Sequence, residues 1–417
     1  MNFINSKKRT SCRLCSNKNL SKVFDISPSQ PVDGFRPHAH EYLNLPRFNM
    51  DLYMCNNCGH HQLLDVVNPD ILYGSYIYTS SSSPDLNTHF LNYSKYLFNR
   101  GCINENTITL DVGCNDGLFL NFLQKYSKKL FGIDPAPNIL SSIHYSNYEL
   151  FSGYCNKTNL VKFKRKYNLE NFELITANNV FAHADNLKEM LSSISASLSN
   201  EGYFCFEVSY IYDLVYSNVV DYIYHEHLSY HGIKSLKPFL KDNSLYIVDI
   251  IRIPTKGGSI RVLTSKKQSL ENTELINQFI HLENSINCYS KNSFIFLKEK
   301  ICKYKTNLMD FLNKNKVKEV FCYGAAPTSI VNSLLLGYEK YIIGFLDDNT
   351  LRHNLLSPNT FVPVLSPKIL EKYQKPLIII GAWRFENLIV DKILQINKSS
   401  KIIIPSLNEG LKFINFD

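Results

Sequence analysis

The chain has 417 residues, of which 44% are hydrophobic and 20% are charged, and its formal net charge is +8. No apolar run approaches the ~20 residues needed to cross a bilayer, and the N-terminal MNFINSKKRTSCRLC lacks the apolar segment of a secretion signal. We therefore expect a cytoplasmic protein without membrane contact. The positive charge is spread along the whole length, which argues against a nucleic-acid partner and suits an anionic small substrate.

Two cysteine pairs with C-x2-C spacing stand near the N-terminus, Cys12 with Cys15 and Cys55 with Cys58. In a reducing compartment such pairs are metal ligands more often than disulfides. Two tight turns that each present two thiolates form a tetrahedral site that suits Zn²⁺. The sequence thus predicts a small structural zinc domain over residues 1–70, with His60 or His61 as an alternative fourth ligand.

Residues 71–265 contain a Tyr/Ser-rich loop and a helical pattern, followed by short β-rich runs that alternate with helical stretches. The β-rich runs are TITLDVG, KLFGIDP, FELITANNV and GYFCFEVS. This alternation is typical of an α/β fold with a parallel sheet. The length and pattern of this region predict one doubly wound domain.

The segment LDVGCNDGLFL reads as a strand, a glycine-rich turn and the start of a helix. Gly113 and Gly117 permit backbone conformations that other residues resist, and Asp134 ends the next strand, where a carboxylate can accept hydrogen bonds from a ribose. A full G-x-G-x-x-G is absent, which argues against a dinucleotide. The pattern D-x-G-C-x-x-G resembles motif I of the class I S-adenosylmethionine methyltransferases. We accordingly predict cofactor contacts from the following residues of this loop and strand end: Asp111, Gly113, Cys114, Asn115, Gly117 and Asp134.

The third β-rich run ends in ITANNVFAH. Asn178, Asn179 and His183 therefore lie at the carboxyl edge of the predicted sheet, where α/β folds bind ligands. We predict that the two asparagines contact the cofactor. His183 can equally be a polar residue with no role in the chemistry.

The segment YHEHLSYH, residues 224–231, is called here the histidine segment. In a helix, His225 and His227 would point away from each other, so the spacing disfavours a catalytic zinc site. An imidazole has an ordinary pKa of about 6.5 and can take a proton near neutral pH. A neighbouring carboxylate can fix its tautomer, and a phenol can donate to a developing oxyanion. The segment therefore favours acid–base chemistry.

A polar helical connector is predicted over residues 266–315, and a second α/β unit over residues 316–417. Its FCYGAAPTSI offers a helix N-terminus whose backbone N–H groups could hold a diphosphate. Asp347 and Asp348, which follow the next strand, could meet a ribose or cap a turn. Arg261, in GGSIRV, could face a substrate diphosphate or serve a structural role.

Taken in order, CRLC, PVDGF, CNNCGHHQL, YIYTSSSS, LDVGCNDG, ANNVFAH, YHEHLSYH and KGGSIRV resemble the three-domain sugar C-methyltransferases of deoxysugar biosynthesis. The resemblance implies an N-terminal zinc domain, a class I S-adenosylmethionine-dependent methyltransferase domain over residues 71–265, and a Rossmann-like C-terminal domain. It further implies methylation at C-3 of a nucleotide-linked 4-keto sugar. Four residues then match active-site positions of the family: Tyr224, Glu226, His227 and His183. Tyr78 matches a tyrosine near the cofactor and sugar.

On this hypothesis His227 removes the C-3 hydrogen, which the 4-keto group acidifies. His183 and Tyr224 lie beside the developing enolate oxygen, and Glu226 orients an imidazole or binds a sugar hydroxyl. Two alternatives stay open: an O- or N-methyltransferase of another small molecule, and a nucleotide-binding interaction protein whose zinc domain recognises a partner. Nothing in the sequence demands a dimer, and a monomer is compatible with it.

Overall fold

The computed structural model describes residues 5–73, 79–141, 143, 147–317, 319–407 and 410–416. Tyr78, predicted to contact substrate, lies outside these residues. None of the helices in these ranges combines the length and the apolar character that a bilayer-spanning segment requires.

The N-terminal region, residues 5–73, is built from short antiparallel strands. Its elements are β1 (Ser6–Lys8), β2 (Leu20–Phe24), β3 (Leu52–Cys55), β4 (His61–Leu63), β5 (Asp65–Val67) and α1 (Pro69–Tyr73). Strand β1 pairs with β5, and β3 lies between β2 and β4. One cysteine pair precedes β2, and the other lies at the turn between β3 and β4. The two C-x2-C turns therefore meet at one end of this sheet.

The central region, residues 79–265, alternates strands and helices. Its helices are α2 (Pro84–Asn99), α3 (Leu118–Leu123), α4 (Pro137–Ser141), α5 (Lys157–Lys166), α6 (Leu187–Ser197), α7 (Ile211–Tyr216) and α8 (Ile233–Lys241). Its strands are β6 (Ile108–Val112), β7 (Lys129–Asp134), β8 (Glu149–Ser152), β9 (Phe172–Asn178), β10 (Leu198–Ser209), β11 (Ser229–Tyr230), β12 (Tyr246–Ile253) and β13 (Ser259–Ser265).

Seven of these strands form one sheet in the order β12-β13-β10-β9-β6-β7-β8. The run from β10 to β8 is parallel, as the alternating pattern predicted. Strands β12 and β13 are antiparallel, because Gly257 and Gly258, with φ of 86° and 124°, let the chain reverse between them. The sheet is therefore mixed, with the predicted parallel strands at its centre and an antiparallel pair at this edge.

Strand β11 belongs to the histidine segment but does not join the central sheet. It pairs antiparallel with β4 of the N-terminal region, Ser229 opposite Gln62 and Tyr230 opposite His61. The Arg13 guanidinium, between the first two cysteines, also donates to the Leu228 carbonyl at 3.1 Å. The histidine segment, which belongs to the central region, is thus also held in place by the N-terminal region.

Two helices, α9 (Thr273–Ser285) and α10 (Lys291–Lys314), lead to the C-terminal region, residues 319–416. One face of α10 is buried through the following side chains: Phe294, Leu297, Ile301, Leu308 and Leu312. Lys298 on this helix forms an ion pair with Asp25, and the Phe294 ring lies 5.4 Å from that of His61. The connector therefore packs against the N-terminal region.

The C-terminal region is a second α/β layer. Its elements are β14 (Val320–Tyr323), α11 (Pro327–Leu336), β15 (Ile342–Leu346), β16 (Val364–Leu365), β17 (Leu377–Ile380), α12 (Glu386–Ile396), β18 (Lys401–Ser406) and β19 (Gly410–Ile414). The sheet order is β16-β15-β14-β17-β18-β19, parallel except for β19. The parallel strands are buried almost throughout, which explains their continuous Val, Ile and Leu runs.

Candidate active site

Four cysteines converge at the N-terminal end of the molecule. The sulfurs of Cys12, Cys15, Cys55 and Cys58 all lie within 4.8 Å of one another, and the Cys12–Cys58 and Cys15–Cys55 pairs are 3.6 Å apart. A tetrahedral zinc site with Zn–S bonds of about 2.3 Å needs sulfurs roughly 3.8 Å apart. The hydrogen bond from the Cys58 thiol lowers the pKa of Cys12 to about 5, which favours the thiolate that binds metal. The geometry and chemistry of this set fit Zn²⁺.

The two histidines next to the second pair lie elsewhere. Within the described part of the chain, the four cysteines are the group that could hold a metal, and neither His60 nor His61 belongs to it. His60 Nε2 lies 3.2 Å from Ser229 Oγ, and His61 packs its ring against Phe294 and Tyr289. Burial lowers the pKa of His61 to about 3, so the ring is neutral. Both imidazoles fill the interface with the neighbouring regions.

A cavity of about 1020 Å³ lies where the three regions meet. The loops at the carboxyl ends of both sheets line it, together with the histidine segment and Asp33 of the N-terminal region. Gly113, Asp134, His183 and His227 therefore open into the same space. This is the arrangement that a reaction between a cofactor on the central sheet and a substrate beside the histidine segment requires.

The turn between β6 and α3, residues 113–117, is called here the first corner. Gly113 and Gly117 adopt φ of 70° and 75°. A Cβ on Gly113 would lie 2.3 Å from Val180 Cγ2, and a Cβ on Gly117 would lie 2.2 Å from the Tyr148 hydroxyl oxygen. Both positions therefore require glycine for conformation and for space.

Asp134 holds the first corner in place. Its carboxylate accepts hydrogen bonds from the backbone N–H of Asn115 and of Ala136, each at 2.9 Å. The Asn115 side chain in turn accepts from the Ser80 N–H at 2.8 Å, so the serine-rich loop packs onto the corner. Burial raises the pKa of Asp134. Asp134 lines the cavity as predicted, while it also fixes the loop that faces it.

The remaining predicted cofactor residues lie along the same edge. Asp111 accepts a hydrogen bond from the Thr176 hydroxyl at 2.6 Å, and burial raises its pKa to about 7. Asn178 ends β9, and both polar atoms of its buried carboxamide lack a partner among the described residues. Asn179 has φ of 57° and donates its N–H to the Glu207 carbonyl. The unpaired amide of Asn178 at the cavity wall fits a polar ligand such as a nucleoside.

Cys114 is buried, and its sulfur packs beside Gly132 under the first corner. A Cβ on Gly132 would lie only 2.6 Å from the Cys114 sulfur. It lines the cavity with the rest of the loop. A second loop that sequence reasoning missed also lines this side: Gly153, Tyr154, Cys155 and Asn156 follow β8. The edge position of β8 in the sheet could have pointed to them.

Two rings of the histidine segment, Tyr224 and His227, lie together with the ring of His183 from the loop after β9. The His227 ring lies 4.0 Å from the Tyr224 ring and 5.0 Å edge-on from the His183 ring, centroid to centroid. His227 Nδ1 lies 2.9 Å from the Tyr222 carbonyl oxygen. Because a carbonyl can only accept, Nδ1 carries the hydrogen and the neutral ring has its lone pair on Nε2. The structure thus supplies an oriented imidazole with two possible donors beside it.

Glu226 lies beside charged groups from two other regions. Arg352 of the C-terminal region donates to the Asp33 carboxylate at 3.0 Å, and all three side chains line the cavity. Burial raises the pKa of Glu226 to about 8, and the Asp33 carboxylate adds to this effect, while Arg352 opposes it. A protonated Glu226 can donate a hydrogen bond into the cavity. Neither Asp33 nor Arg352 was predicted, since no local pattern joins them.

His225 lines the cavity but directs its Nε2 to the N-terminal region. Its Nε2 lies 3.4 Å from the Phe48 carbonyl oxygen, and burial lowers its pKa to about 4. Such a ring packs the segment against the N-terminal region. Residues 225 and 226 form a turn, so two histidines only two positions apart meet different partners.

Arg261, predicted to contact substrate, lies elsewhere. Its guanidinium donates to the Glu207 carboxylate at 2.7 Å and stacks over the Tyr93 ring at 3.5 Å. His89 Nε2 contacts the other oxygen of Glu207 at 2.7 Å. Arg261 is not among the residues that line the cavity. This geometry favours its structural alternative, because a buried carboxylate requires a partner.

The turn between β14 and α11, residues 324–326, is called here the second corner. Gly324 has φ of 103°, and the Ala325 N–H donates to the Asp347 carboxylate at 2.7 Å. Asp347 also accepts from the Asn349 N–H at 2.8 Å. Asp348 is half-exposed and contacts the Tyr323 hydroxyl and Lys392. Asp347 thus fixes the loop, and Asp348 lies outside the cavity lining.

The loop after β17 brings further residues that the sequence did not reveal. Trp383 Nε1 and both terminal nitrogens of Arg384 donate to the Asp221 carboxylate, each at 2.9 Å. Trp383, Arg384 and Phe385 line the cavity next to the histidine segment. Contacts between segments over 160 residues apart leave no spacing pattern in the sequence.

Comparison with known families assigns this assembly. Three family models match successive parts of the chain: a proposed zinc-binding domain over residues 12–73, a methyltransferase domain over residues 90–250, and a C-methyltransferase C-terminal domain over residues 254–406. The chain is an S-adenosylmethionine-dependent methyltransferase whose C-terminal region resembles that of C-methyltransferases. The enzyme uses S-adenosylmethionine as methyl donor, and its N-terminal domain binds zinc. The predicted fold, cofactor and metal are thereby confirmed.

Individual relatives are distant. The chain is similar to the C-methyltransferase NovU of Streptomyces niveus, with 23% identity over 94% of each chain. It is also similar to the magnesium protoporphyrin IX methyltransferase of Synechocystis with bound S-adenosylhomocysteine, at 12% identity over 43% of this chain and 82% of that one, with a TM-score of 0.34. The N-methyltransferase NodS of Bradyrhizobium japonicum gives 15% identity over 43% and 93%, with a TM-score of 0.32. Scores this low say nothing about substrate.

Proposed function

We propose that the enzyme methylates C-3 of a nucleotide-linked 4-keto-deoxysugar through an enolate. The observation that carries this proposal is the shared cavity: an oriented imidazole, His227, and the first corner open into the same space. The relative NovU is named a C-methyltransferase, which favours carbon as the accepting atom. A cytoplasmic location fits reduced cysteines around zinc.

The first corner is the proposed cofactor side. The glycine backbone at 113 and 117, the Asp134 carboxylate and the Asn178 amide would hold the nucleoside. S-adenosylmethionine supplies an electrophilic sulfonium methyl group for the carbanion to attack. The N-terminal zinc takes no part in this chemistry, because its four cysteine ligands fill a tetrahedral shell.

His227 is the proposed general base. The lone pair on Nε2 takes the C-3 proton, and the electron pair of the broken C–H bond moves toward the 4-keto oxygen. The Tyr222 carbonyl, 2.9 Å from Nδ1, stabilises the imidazolium that forms. Positioned base catalysis of this kind contributes about 10²–10⁴ in rate.

His183, Tyr224 and Glu226 surround the developing enolate oxygen on this proposal. The rings of His183 and Tyr224 lie 5.0 Å and 4.0 Å from that of His227, so their polar atoms can donate near the same point. A protonated Glu226 can bind a sugar hydroxyl or donate to the oxyanion. Donors aimed at developing negative charge stabilise it most strongly where water is excluded.

Carbon as the acceptor explains the histidine segment, whereas O- or N-methylation gives it no carbon acid to deprotonate. A ketone at C-4 acidifies the hydrogens on both neighbouring carbons, so the position of exchange is measurable. The experiment incubates nucleotide-4-keto sugars in deuterated water with S-adenosylhomocysteine, and then with labelled S-adenosylmethionine. Mass spectrometry and NMR locate the deuterium and the methyl group.

We expect deuterium at C-3 and the methyl group at C-3 with wild-type enzyme. His227→Asn should abolish both and leave S-adenosylmethionine binding intact. His281→Asn, an exposed histidine of α9, is the matched control and should behave as wild type. Exchange and methylation at C-5 would overturn the assigned position, and normal exchange by His227→Asn would overturn the base.

A further inference from the structure

One buried carboxylate of the central region is held directly by the C-terminal region. Asp221 is 1% exposed and lies in the short 3₁₀ turn Val220–Tyr222. It accepts three hydrogen bonds of 2.9 Å, one from Trp383 Nε1 and two from the Arg384 guanidinium. The arginine fork therefore meets Asp221 in the bidentate geometry that fixes direction as well as distance.

The residue next to Asp221 holds the proposed base. The Tyr222 carbonyl accepts from His227 Nδ1 at 2.9 Å and from the Tyr230 hydroxyl at 3.1 Å. Arg384 also covers the Tyr222 ring at 4.8 Å. The Tyr222 carbonyl therefore sets the tautomer and orientation of His227. Tyr222 itself packs against Arg384 of the C-terminal region.

Loss of the hydrogen bonds from Trp383 and Arg384 to Asp221 should displace the backbone that holds His227. A buried carboxylate without its partners is strongly disfavoured, so Asp221 would turn toward water and carry the 220–222 backbone with it. The Tyr222 carbonyl would then no longer accept the hydrogen bond from His227 Nδ1. A displacement of about 1 Å at a reacting group can lower a rate about 10²-fold.

We propose that Arg384 and Trp383 are positioning residues for the general base His227, acting through Asp221 and the Tyr222 carbonyl. This inference rests on the proposed function, because it requires proton removal by His227. It means that the acid–base machinery of the central region is complete only when the C-terminal region is docked.

The test uses the full chain with three substitutions: Trp383→Phe, Arg384→Lys and Asp221→Asn. Trp383→Phe keeps an aromatic ring and loses one N–H donor, and Arg384→Lys keeps the charge and loses the fork. Lys412→Ala is the control, since Lys412 bonds Glu386 at 2.6 Å in the same region and does not line the cavity. Each protein is assayed for S-adenosylmethionine affinity, for KM of the sugar and kcat, and for deuterium exchange with S-adenosylhomocysteine bound.

Exchange and kcat should fall together, about tenfold for Trp383→Phe and about 10²-fold for Arg384→Lys and Asp221→Asn. Cofactor affinity and the KM of the sugar should stay within about twofold, because on this inference Trp383 and Arg384 act through Asp221 and do not bind either ligand. Lys412→Ala should match wild type. Retained affinities also show that each variant is folded.

A rise in KM with normal kcat and exchange would overturn the inference and make Arg384 a direct substrate contact. Unchanged exchange in all three variants would overturn it as well. If wild-type enzyme fails to exchange the sugar hydrogen, the proposed function falls first, and this outcome is distinguishable because it appears without any substitution.

Discussion

The first and second corners are built alike, although they belong to different regions. Each comes after a buried parallel strand and has a glycine at positive φ, Gly113 at 70° and Gly324 at 103°. Each is held by an aspartate at the end of the neighbouring strand that accepts two backbone N–H groups. Asp134 bonds Asn115 and Ala136, and Asp347 bonds Ala325 and Asn349.

The corners differ in the polar groups that lie beside them along the sheet edge. Beside the first corner, the Asn178 amide has no partner among the described residues and faces the cavity. Beside the second corner, the loop after β17 directs its polar groups to Asp221 of the central region. The same turn geometry thus leaves an open amide on one side of the cavity and a docking contact on the other.

The cavity therefore has two walls that differ in the polar groups they present. On the proposed function, the first corner would bind the methyl donor and the second corner the sugar nucleotide, with the histidine segment between them. Two pairs of substitutions test that division, and one single change tests the protonation of Glu226, which lies between the two walls.

The largest effect is expected from adding a methyl group at each corner glycine. In Gly113→Ala the new Cβ meets Val180 Cγ2 at 2.3 Å, and in Gly324→Ala it meets Ala382 Cβ at 2.6 Å. In each variant, strain of about 1–2 kcal/mol and overpacking of about 1–3 kcal/mol should together lower the free energy of unfolding by about 2–5 kcal/mol. Gly113→Ala should weaken S-adenosylmethionine binding at least about tenfold and keep sugar exchange. Gly324→Ala should keep S-adenosylmethionine binding and lower the exchange of the sugar hydrogen. Titration calorimetry measures S-adenosylmethionine binding, and the deuterium assay measures exchange of the sugar hydrogen.

Gly101→Ala is the control for strain alone, since Gly101 has φ of 70° and nothing within 4 Å of an added Cβ. It should lower stability by about 1 kcal/mol and leave both ligands unaffected. Equal loss of S-adenosylmethionine affinity in both corner variants would show that the corners serve one ligand, contrary to the division.

A smaller effect is expected from replacing the corner aspartates, Asp134→Asn and Asp347→Asn. Each amide keeps one acceptor and turns its NH₂ toward the second N–H, which should cost about 1–3 kcal/mol of stability. Asp134→Asn should also raise the Kd of S-adenosylmethionine, while Asp347→Asn should raise the KM of the sugar nucleotide alone. Thermal unfolding and titration calorimetry distinguish these outcomes, and a common effect on both ligands would refute the separation of the walls.

An effect that appears only as pH rises is expected from Glu226→Gln. The pKa of Glu226 is raised from 4.5 to about 8, so its neutral form is favoured in the folded state. The stability that this proton contributes is complete below pH 4.5 and is lost as pH rises through about 8. Glutamine mimics the neutral carboxyl, so the Tm of the variant should match wild type at about pH 5 and exceed it at about pH 9. A Tm difference that does not vary with pH would exclude this role of Glu226.

Much of this architecture could be predicted because its signals are local. The C-x2-C pairs mark tight turns, and the glycines of the first corner mark a positive-φ loop after a strand. The position of the histidine segment could be inferred from chain order along the sheet edge. These features depend on residues within a few positions of one another, which is the range over which sequence spacing carries structural information.

The parts that sequence reasoning missed depend on contacts between distant segments. Asp33 meets Arg352, and Asp221 meets Arg384, only after the regions have docked. The sequence left open whether Arg261 faces a substrate or serves a structural role, because its neighbours in sequence do not show that Glu207 lies opposite it. A charged residue read in isolation does not reveal whether its partner is a ligand or another side chain.

The two-residue strand β11 links metal binding to the timing of folding. It directly follows His227 and Leu228 and hydrogen-bonds to β4, just past the second cysteine pair. A ribosome-bound chain that has already acquired its metal must therefore wait for over 160 further residues before the N-terminal sheet gains its last strand. An incomplete chain would leave that edge of β4 unpaired, so the N-terminal sheet is completed only after most of the central region has been synthesised.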